Sequence, residues 1–259
     1  MRTTFPFPLA LLLAACTLSG CRALAQAAAN QPCELDADRP YEIVEIDPEQ
    51  HRVRVLYADE DGTPLRTPDA ALHYLQAQGD SVVALTNAGI FEPGYLPTGL
   101  LVSDGETVQT LNTDPGDGNF FLLPNGVFWV DSGGRLHVGE TDAFARSSFL
   151  EAGAIREATQ SGPLLLGDGA IHPAFREGSS NCRLRSGIGV RPDGSALLAI
   201  TNGAVNLHGF ASFFAKEGAV DALYLDGAIS RLYAGADLAA PEGSVQFSGY
   251  IAVVVPGTR

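Results

Sequence analysis

The sequence predicts an α+β (mixed α/β) fold: a single domain around a large, mostly antiparallel or mixed sheet with a few flanking helices. Three observations point there. Apolar runs of strand length outnumber stretches of helical periodicity. The 29 glycines and 16 prolines fall mostly where those runs break, which implies short elements joined by tight turns. No repeat or second compositional regime interrupts the chain of 259 residues, 46% of them apolar, which suffices to bury one core of roughly 220 residues.

The expected organisation is a leader over residues 1–21, a tether over 22–40 and one domain over 41–259. Arg2 precedes an uncharged apolar stretch, Phe5 to Ala15, too short to span a membrane and suited to the core of a signal peptide. Leu13-Ala14-Ala15-Cys16 and Leu18-Ser19-Gly20-Cys21 both read as lipoboxes, with Cys16 favoured because it directly ends the leucine-rich run. Ala23-Leu24-Ala25 offers an ordinary signal-peptidase site instead. The expectation is export to the periplasm or cell envelope, with lipidation at Cys16 (or Cys21) as the one membrane contact. Residues 22–32 are rich in Ala and Gln, as a tether is.

Within the domain, Tyr41–Ile46 and Arg52–Tyr57 alternate as half-buried strands do. Thr67-Pro68-Asp69 opens a helix over Ala70 to Gln78, with a cap, a first-turn proline and a first-turn acid. Ser81–Thr86 is a buried strand that stops at Asn87-Ala88-Gly89. Gly99 to Gly105 is a strand entering a turn. Asn119 to Val138 reads as a meander with Asn125-Gly126 as a type I′ hairpin turn. Thr141–Leu150 is expected to be helical, and Ala158–Leu166 to hold a strand. Ser186–Val190 and Ala196–Thr201 flank Pro192-Asp193-Gly194, a hairpin signal. Asn206 caps an amphipathic helix running to Glu217. Ala222–Leu225 is a short apolar strand ending at Asp226-Gly227, and Tyr250–Val255 closes the domain.

Thirty acids against 16 bases give a net charge of −14, and Lys216 is the only lysine. Such a field repels nucleic acid and anionic membrane surfaces, so no nucleic-acid partner is expected. Phosphate chemistry would need a local group of arginines acting against the global sign. Cys33 and Cys182 remain once the leader cysteines are set aside; in an oxidising compartment they can form a disulfide, or they can stay as two thiols. No His, Cys or paired-carboxylate cluster has metal-ligand spacing, so no metal and no cofactor is expected, although Asp226 with another acid could hold a hard cation through oxygen.

Four apolar strands end at a polar residue beside glycine: at Asn87, at Gln160-Ser161-Gly162, at Thr201-Asn202-Gly203 and at Asp226-Gly227. Strand ends of this kind deliver polar side chains to a sheet edge, where ligands commonly bind. Each alone is equally an ordinary turn. The order of Asn87-Ala88-Gly89-Ile90-Phe91, Pro97-Thr98-Gly99-Leu100, Gly118-Asn119-Phe120-Phe121, Pro124-Asn125-Gly126-Val127-Phe128, Gln160-Ser161-Gly162-Pro163, Arg185-Ser186-Gly187-Ile188-Gly189-Val190 and Leu225-Asp226-Gly227-Ala228-Ile229-Ser230 resembles the phosphodiester glycosidase family over roughly residues 80 to 255. A lysosomal member of that family removes N-acetylglucosamine from a sugar-phosphate diester, and its bacterial members are exported. This chain departs from the lysosomal pattern at Ala88, at Ser186 and in the shortened glycine run after Asp226, which bears on sugar specificity more than on fold.

The resemblance implies an exported hydrolase cleaving a sugar-1-phosphate diester at the glycosidic C–O bond, with a sugar-phosphate or glycan as its substrate. It implies Asp226, Arg185 and Asn87 as catalytic residues. Asp226 could be a general acid or base, an acceptor that fixes a sugar hydroxyl, or a turn cap. Arg185 could grip a phosphate with its planar fork, or form an ion pair, even with Asp226. Asn87 can both donate and accept, or serve as a turn residue. Gln160, Ser161, Gly162, Asn119, Asn202 and Ser230 are the expected substrate-binding residues. Ser161 is also conceivable as a nucleophile, without support from a GxSxG elbow or a histidine-containing triad. Asn206, His208 and Glu92 stand behind these. The alternative readings are a phosphodiesterase cutting P–O and a non-catalytic glycan-binding lipoprotein. Nothing in the sequence sets an oligomeric state.

Overall fold

The computed structural model describes residues 33–151, 153–227, 229–239, 241 and 245–257. The leader with Cys16 and Cys21, the tether up to residue 32 and Ala228 lie outside the described residues.

In chain order the strands and helices are β1 (Tyr41–Ile46), β2 (Arg52–Leu56), α1 (Pro68–Ala77), β3 (Ser81–Asn87), β4 (Phe91–Glu92), β5 (Leu96–Pro97), β6 (Leu101–Ser103), β7 (Glu106–Gln109), β8 (Gly126–Asp131), β9 (Leu136–Glu140), α2 (Thr141–Ala145), β10 (Ile155–Ser161), β11 (Leu164–Gly167), β12 (Ala170–Ile171), β13 (Ser186–Val190), β14 (Ala196–Thr201), α3 (Leu207–Lys216), β15 (Asp221–Asp226), β16 (Leu232–Ala234) and β17 (Tyr250–Val255). Local chemistry starts several of them. Thr67 accepts from the Ala70 amide at the head of α1, and Asn206 accepts from Gly209 N at 2.7 Å at the head of α3. Asp193 accepts from Ser195 N at 2.9 Å in the turn that pairs Val190 with Ala196.

The strands form three main sheets, ordered β1-β14-β13-β15-β11-β12, β7-β6-β10-β8-β9 and β16-β3-β17-β2, plus the small β4–β5 hairpin. The strand pairs are antiparallel. Alternation along the strands explains how the sheets pack. Ile188, Leu198, Leu223 and Leu225 of the first sheet, Phe128 and Val138 of the second, and Val53, Ile251 and Val253 of the third share one central core. The opposite faces are each backed by a helix. Leu197 and Tyr224 pack with Phe210 and Phe214 of α3, Tyr250 and Val254 with Leu72 and Leu75 of α1, and Trp129 with Phe144 of α2. Strands buried on both faces read as continuous apolar runs, as Ala222–Leu225 does.

The single large sheet expected from sequence is thus a mostly antiparallel system divided into three. One dividing point is the expected strand over Ala158–Leu166. It breaks at Gly162-Pro163, so that β10 belongs to the second sheet and β11 to the first.

The Asn125-Gly126 hairpin is a second correction. Gly126 starts β8, and the turn lies at its other end, where Asp131 accepts from Gly133 N and Arg135 N at 2.8 and 3.0 Å. Gly126 is small because of packing: a Cβ there would lie 2.7 Å from Leu164 and 2.8 Å from the Gly139 carbonyl. Likewise, the helix expected over Thr141–Leu150 is the short α2 followed by a separate 3-10 turn, Ser148–Leu150.

Candidate active site

The C-terminal ends of β3, β10 and β15, one from each main sheet, converge at one place. Ser161 at the end of β10 donates to Leu225 O of β15 at 2.8 Å and accepts from Ile90 N, beyond β3, at 3.4 Å. At Gly89 a Cβ would lie 2.6 Å from Gln160 O, so the close approach of β3's extension to β10 requires glycine.

Asp226 is the last residue of β15. One carboxylate oxygen accepts from Gly227 N at 2.6 Å and the other from Asn87 Nδ2 at 3.3 Å. Burial raises its pKa from the usual carboxylate value to about 6, while the Gly227 N–H acts in the opposite direction. The carboxyl is therefore poised between its two protonation states near neutral pH. Asn87 is buried, and its amide orientation follows from its partners. Its Oδ1 accepts from Arg231 N at 3.0 Å, so the amino group must face Asp226 and the Ala88 carbonyl.

Arg185 immediately precedes β13 and is only 1% exposed. Its Nε donates to Val205 O at 2.7 Å and its Nη2 to Asn181 O at 2.9 Å. The guanidinium carbon lies 5.5 Å from the ring centre of Tyr224. Among the described residues no carboxylate lies within ion-pair distance, so the ion pair with Asp226 that the sequence allowed does not form. Burial pulls the Arg185 pKa down, Tyr224 partly offsets this, and the like charge of Arg183 adds to the lowering. The hydrogen-bond partners of its Nε and Nη2 are neutral carbonyl oxygens.

Tyr224 is the residue that the sequence reading missed. It stands two positions before Asp226; burial pushes the pKa of its hydroxyl up to about 12, the nearby side chains of Arg185 and Asn119 act in the opposite direction, and the charge of Asp226 adds to the rise. A Cβ on Gly227 would lie 2.6 Å from that hydroxyl, which ties the turn after Asp226 to Tyr224. The available signal was a lone hydroxyl in an otherwise aliphatic run, Ala222–Leu225.

Asn119 is exposed, and its side chain lies near enough to the Tyr224 hydroxyl to lower its pKa. Gly162 is buried, packed against the Phe120 and Asn119 carbonyls. Three expected substrate-binding residues face other partners instead. Gln160 accepts from Leu100 N and Asn112 N and donates to Asn112 O and Thr141 Oγ1, which uses its amide fully. Ser230 is buried with its hydroxyl 2.8 Å from that of Ser186. Asn202 donates to Arg39 O, in the segment that precedes β1. Ser161 gives its proton to a carbonyl, which cannot act as a base, so the nucleophile alternative finds no activating partner. Glu92 accepts from Thr98 Oγ1 at 3.1 Å and His208 lies on α3 beside Ser212.

Among the described residues no group of three or more His, Cys, Asp or Glu could hold a metal ion. A groove of ≈ 540 Å³ between Tyr41, Ile43 and Phe213 is lined by none of the residues that meet around Asp226.

A family model for phosphodiester glycosidases matches residues 80–253. The uncharacterized protein YigE of Escherichia coli K12 is 34% identical over 189 residues, covering 73% of this chain and 72% of that one. Among solved structures, the catalytic domain of zebrafish N-acetylglucosamine-1-phosphodiester alpha-N-acetylglucosaminidase superposes with a TM-score of 0.54 at 16% identity, covering 88% of this chain and 87% of that one. A hypothetical protein from Synechocystis gives a TM-score of 0.50 at 17% identity, over 83% of this chain and 59% of that one. The two structural likenesses bear on the fold.

Proposed function

Because the chain belongs to the phosphodiester glycosidase family, we propose that it is an exported hydrolase that cleaves sugar-1-phosphate diesters at the glycosidic C–O bond. The observation that carries this reading is the presence, in one region, of a carboxylate of raised pKa, Asp226, and a buried arginine that no carboxylate among the described residues neutralises.

Ordinary glycosidases need two carboxyl groups, since an alkoxide leaving group must be protonated. A phosphate monoester leaves as a stable anion and needs no proton. One carboxylate and one cation then suffice. Asp226, ionised and oriented by Asn87, takes a proton from water as the water oxygen bonds to the anomeric carbon. The C–O bond to phosphate breaks, and its electron pair stays on the phosphate oxygen beside Arg185. Free sugar and a phosphomonoester result. Tyr224 and Asn119 complete the anion's surroundings, and Ser161 fixes the strand end that carries Asp226.

Export is supported by the Cys33–Cys182 disulfide, a bond that persists in oxidising compartments, and by the apolar leader with its lipoboxes. Attachment through Cys16 (or Cys21) would hold the enzyme at the envelope, where glycans with phosphodiester links are its substrates. The test is hydrolysis of a panel of sugar-1-phosphate diesters. The wild-type protein should release sugar from at least one, and Asp226→Asn should not. Binding of the panel without release would favour a glycan-binding protein.

A further inference from the structure

The fork of Arg185 is held from two sides by parts of the chain that are distant in sequence. Asn181 O belongs to the loop that carries Cys182, and Val205 O belongs to the turn after β14. That turn is covered by the strap that carries Cys33. Asp36 N donates to Asn202 O at 2.8 Å, Ala204 N to Glu34 O at 2.9 Å, and Leu35 bridges Gly203. Gly203 is obligatory there, since its φ is +123° and a Cβ would collide with Glu34 O. The two sides also touch each other. Arg183 and Val205 exchange backbone hydrogen bonds at 3.1 and 2.9 Å, and Asn206 Nδ2 donates to Ser179 O at 3.0 Å. The Cys33–Cys182 disulfide closes this ring, joining strap to loop across 149 residues of sequence.

We propose that the disulfide is a positioning device for Arg185: Cys33 and Cys182 clamp the two carbonyls that aim its guanidinium. The proposal rests on Arg185 being the phosphate-binding residue. The guanidinium is held by Val205 O and Asn181 O with no ion-pair partner among the described residues, so its direction depends on how rigidly those carbonyls are placed. With the disulfide open, strap and loop separate more readily, Val205 O and Asn181 O lose their fixed spacing, and the guanidinium samples positions that do not meet the substrate phosphate. The clamp acts on binding and leaves the carboxylate chemistry at Asp226 intact.

The test compares the oxidised full-length protein with Cys33→Ser/Cys182→Ser, each with and without Arg185→Ala, well below the unfolding temperature. The probe is inorganic phosphate, with a sugar-1-phosphate diester for turnover. In the double-serine protein, phosphate affinity should fall about tenfold and KM should rise in parallel, with kcat within about twofold, because a ground-state and transition-state contact is lost equally. On the Arg185→Ala background the serine substitutions should cost nothing more, since both act through one side chain. Amide exchange should accelerate at Arg183 and Val205 and stay unchanged at Trp129 in β8. Unchanged exchange at Arg183 and Val205, or losses that add to those of Arg185→Ala, would overturn the clamp. If the double-serine protein does not fold, wild-type protein reduced by thiol under native conditions supplies the same exchange comparison. An oxidised wild type that binds no phosphate would count against the assignment of Arg185, while the exchange rates still decide the clamp.

Discussion

Arg185 stands one residue before Ser186, the cross-strand partner of Asp226, yet its guanidinium is turned to Val205 O and Asn181 O and makes no ion pair with the Asp226 carboxylate. Opposite charges at the ends of neighbouring strands are thereby kept apart. In the proposed mechanism the carboxylate takes a proton and the guanidinium an anion, and the expected effects of substitution follow from that separation.

Asp226→Asn keeps the shape of the side chain and removes its base. Turnover should fall by about 10² to 10⁴ while the fold persists. In the wild type kcat/KM should rise with pH through about 6, where the buried carboxyl ionises. A pH–rate profile with its ascending limb near 4, or a folded Asn variant of wild-type rate, would remove Asp226 from the chemistry.

Arg185→Ala should raise KM for a sugar-phosphate diester and also destabilise the protein by about 1–3 kcal/mol, because the Asn181 carbonyl loses its side-chain donor and Val205 O keeps only the Arg183 amide. Arg185→Lys should not restore KM, since an ammonium cannot reproduce the planar fork. Steady-state kinetics with a melting curve reads both effects; a wild-type KM in the alanine variant contradicts the assignment.

Ser161→Ala should cost far less than Asp226→Asn, about tenfold or below, with roughly 1 kcal/mol of stability from the lost bonds to Leu225 O and Ile90 N. Side-by-side kcat values decide it: equal severity would make the serine a reacting group.

Glu157 on β10 is buried away from the site, accepting from Val55 N and Asp104 N, and burial raises its pKa from 4.5 to about 7 against those bonds and Arg54. A carboxyl whose folded pKa is raised stabilises the fold through its bound proton. That contribution is complete below 4.5 and lost as pH rises through about 7. Asp226 acts with the same sign between 3.8 and about 6. The melting temperature should fall as pH rises across this range, and Glu157→Gln should flatten the upper part of the decline. A wild-type melting temperature that climbs over the same interval would refute this.

Much of this arrangement was legible because it is local. Thr67 and Asn206 start helices, Pro192-Asp193-Gly194 turns a hairpin, and Asn87 and Asp226 end apolar strands with polar residues. What escaped depends on which strand ends meet. Gln160 looks like a ligand-binding amide until Leu100 and Asn112 are folded against it. Ser230 is an ordinary loop serine until Ser186 lies beneath it. Arg185 takes its carbonyl partners from positions four residues before and twenty residues after it, and Tyr224 hides its hydroxyl in an aliphatic run. Asn125-Gly126 misled because a glycine required by packing at Leu164 has the same spelling as a hairpin turn.

The central claim is that water attacks carbon and that the phosphate leaves intact. Hydrolysis of a sugar-1-phosphate diester in isotope-labelled water, followed by mass spectrometry of the released phosphomonoester, tests it most directly. Attack at the anomeric carbon predicts a phosphomonoester with no label, whereas label in the phosphomonoester would show P–O cleavage and contradict the account.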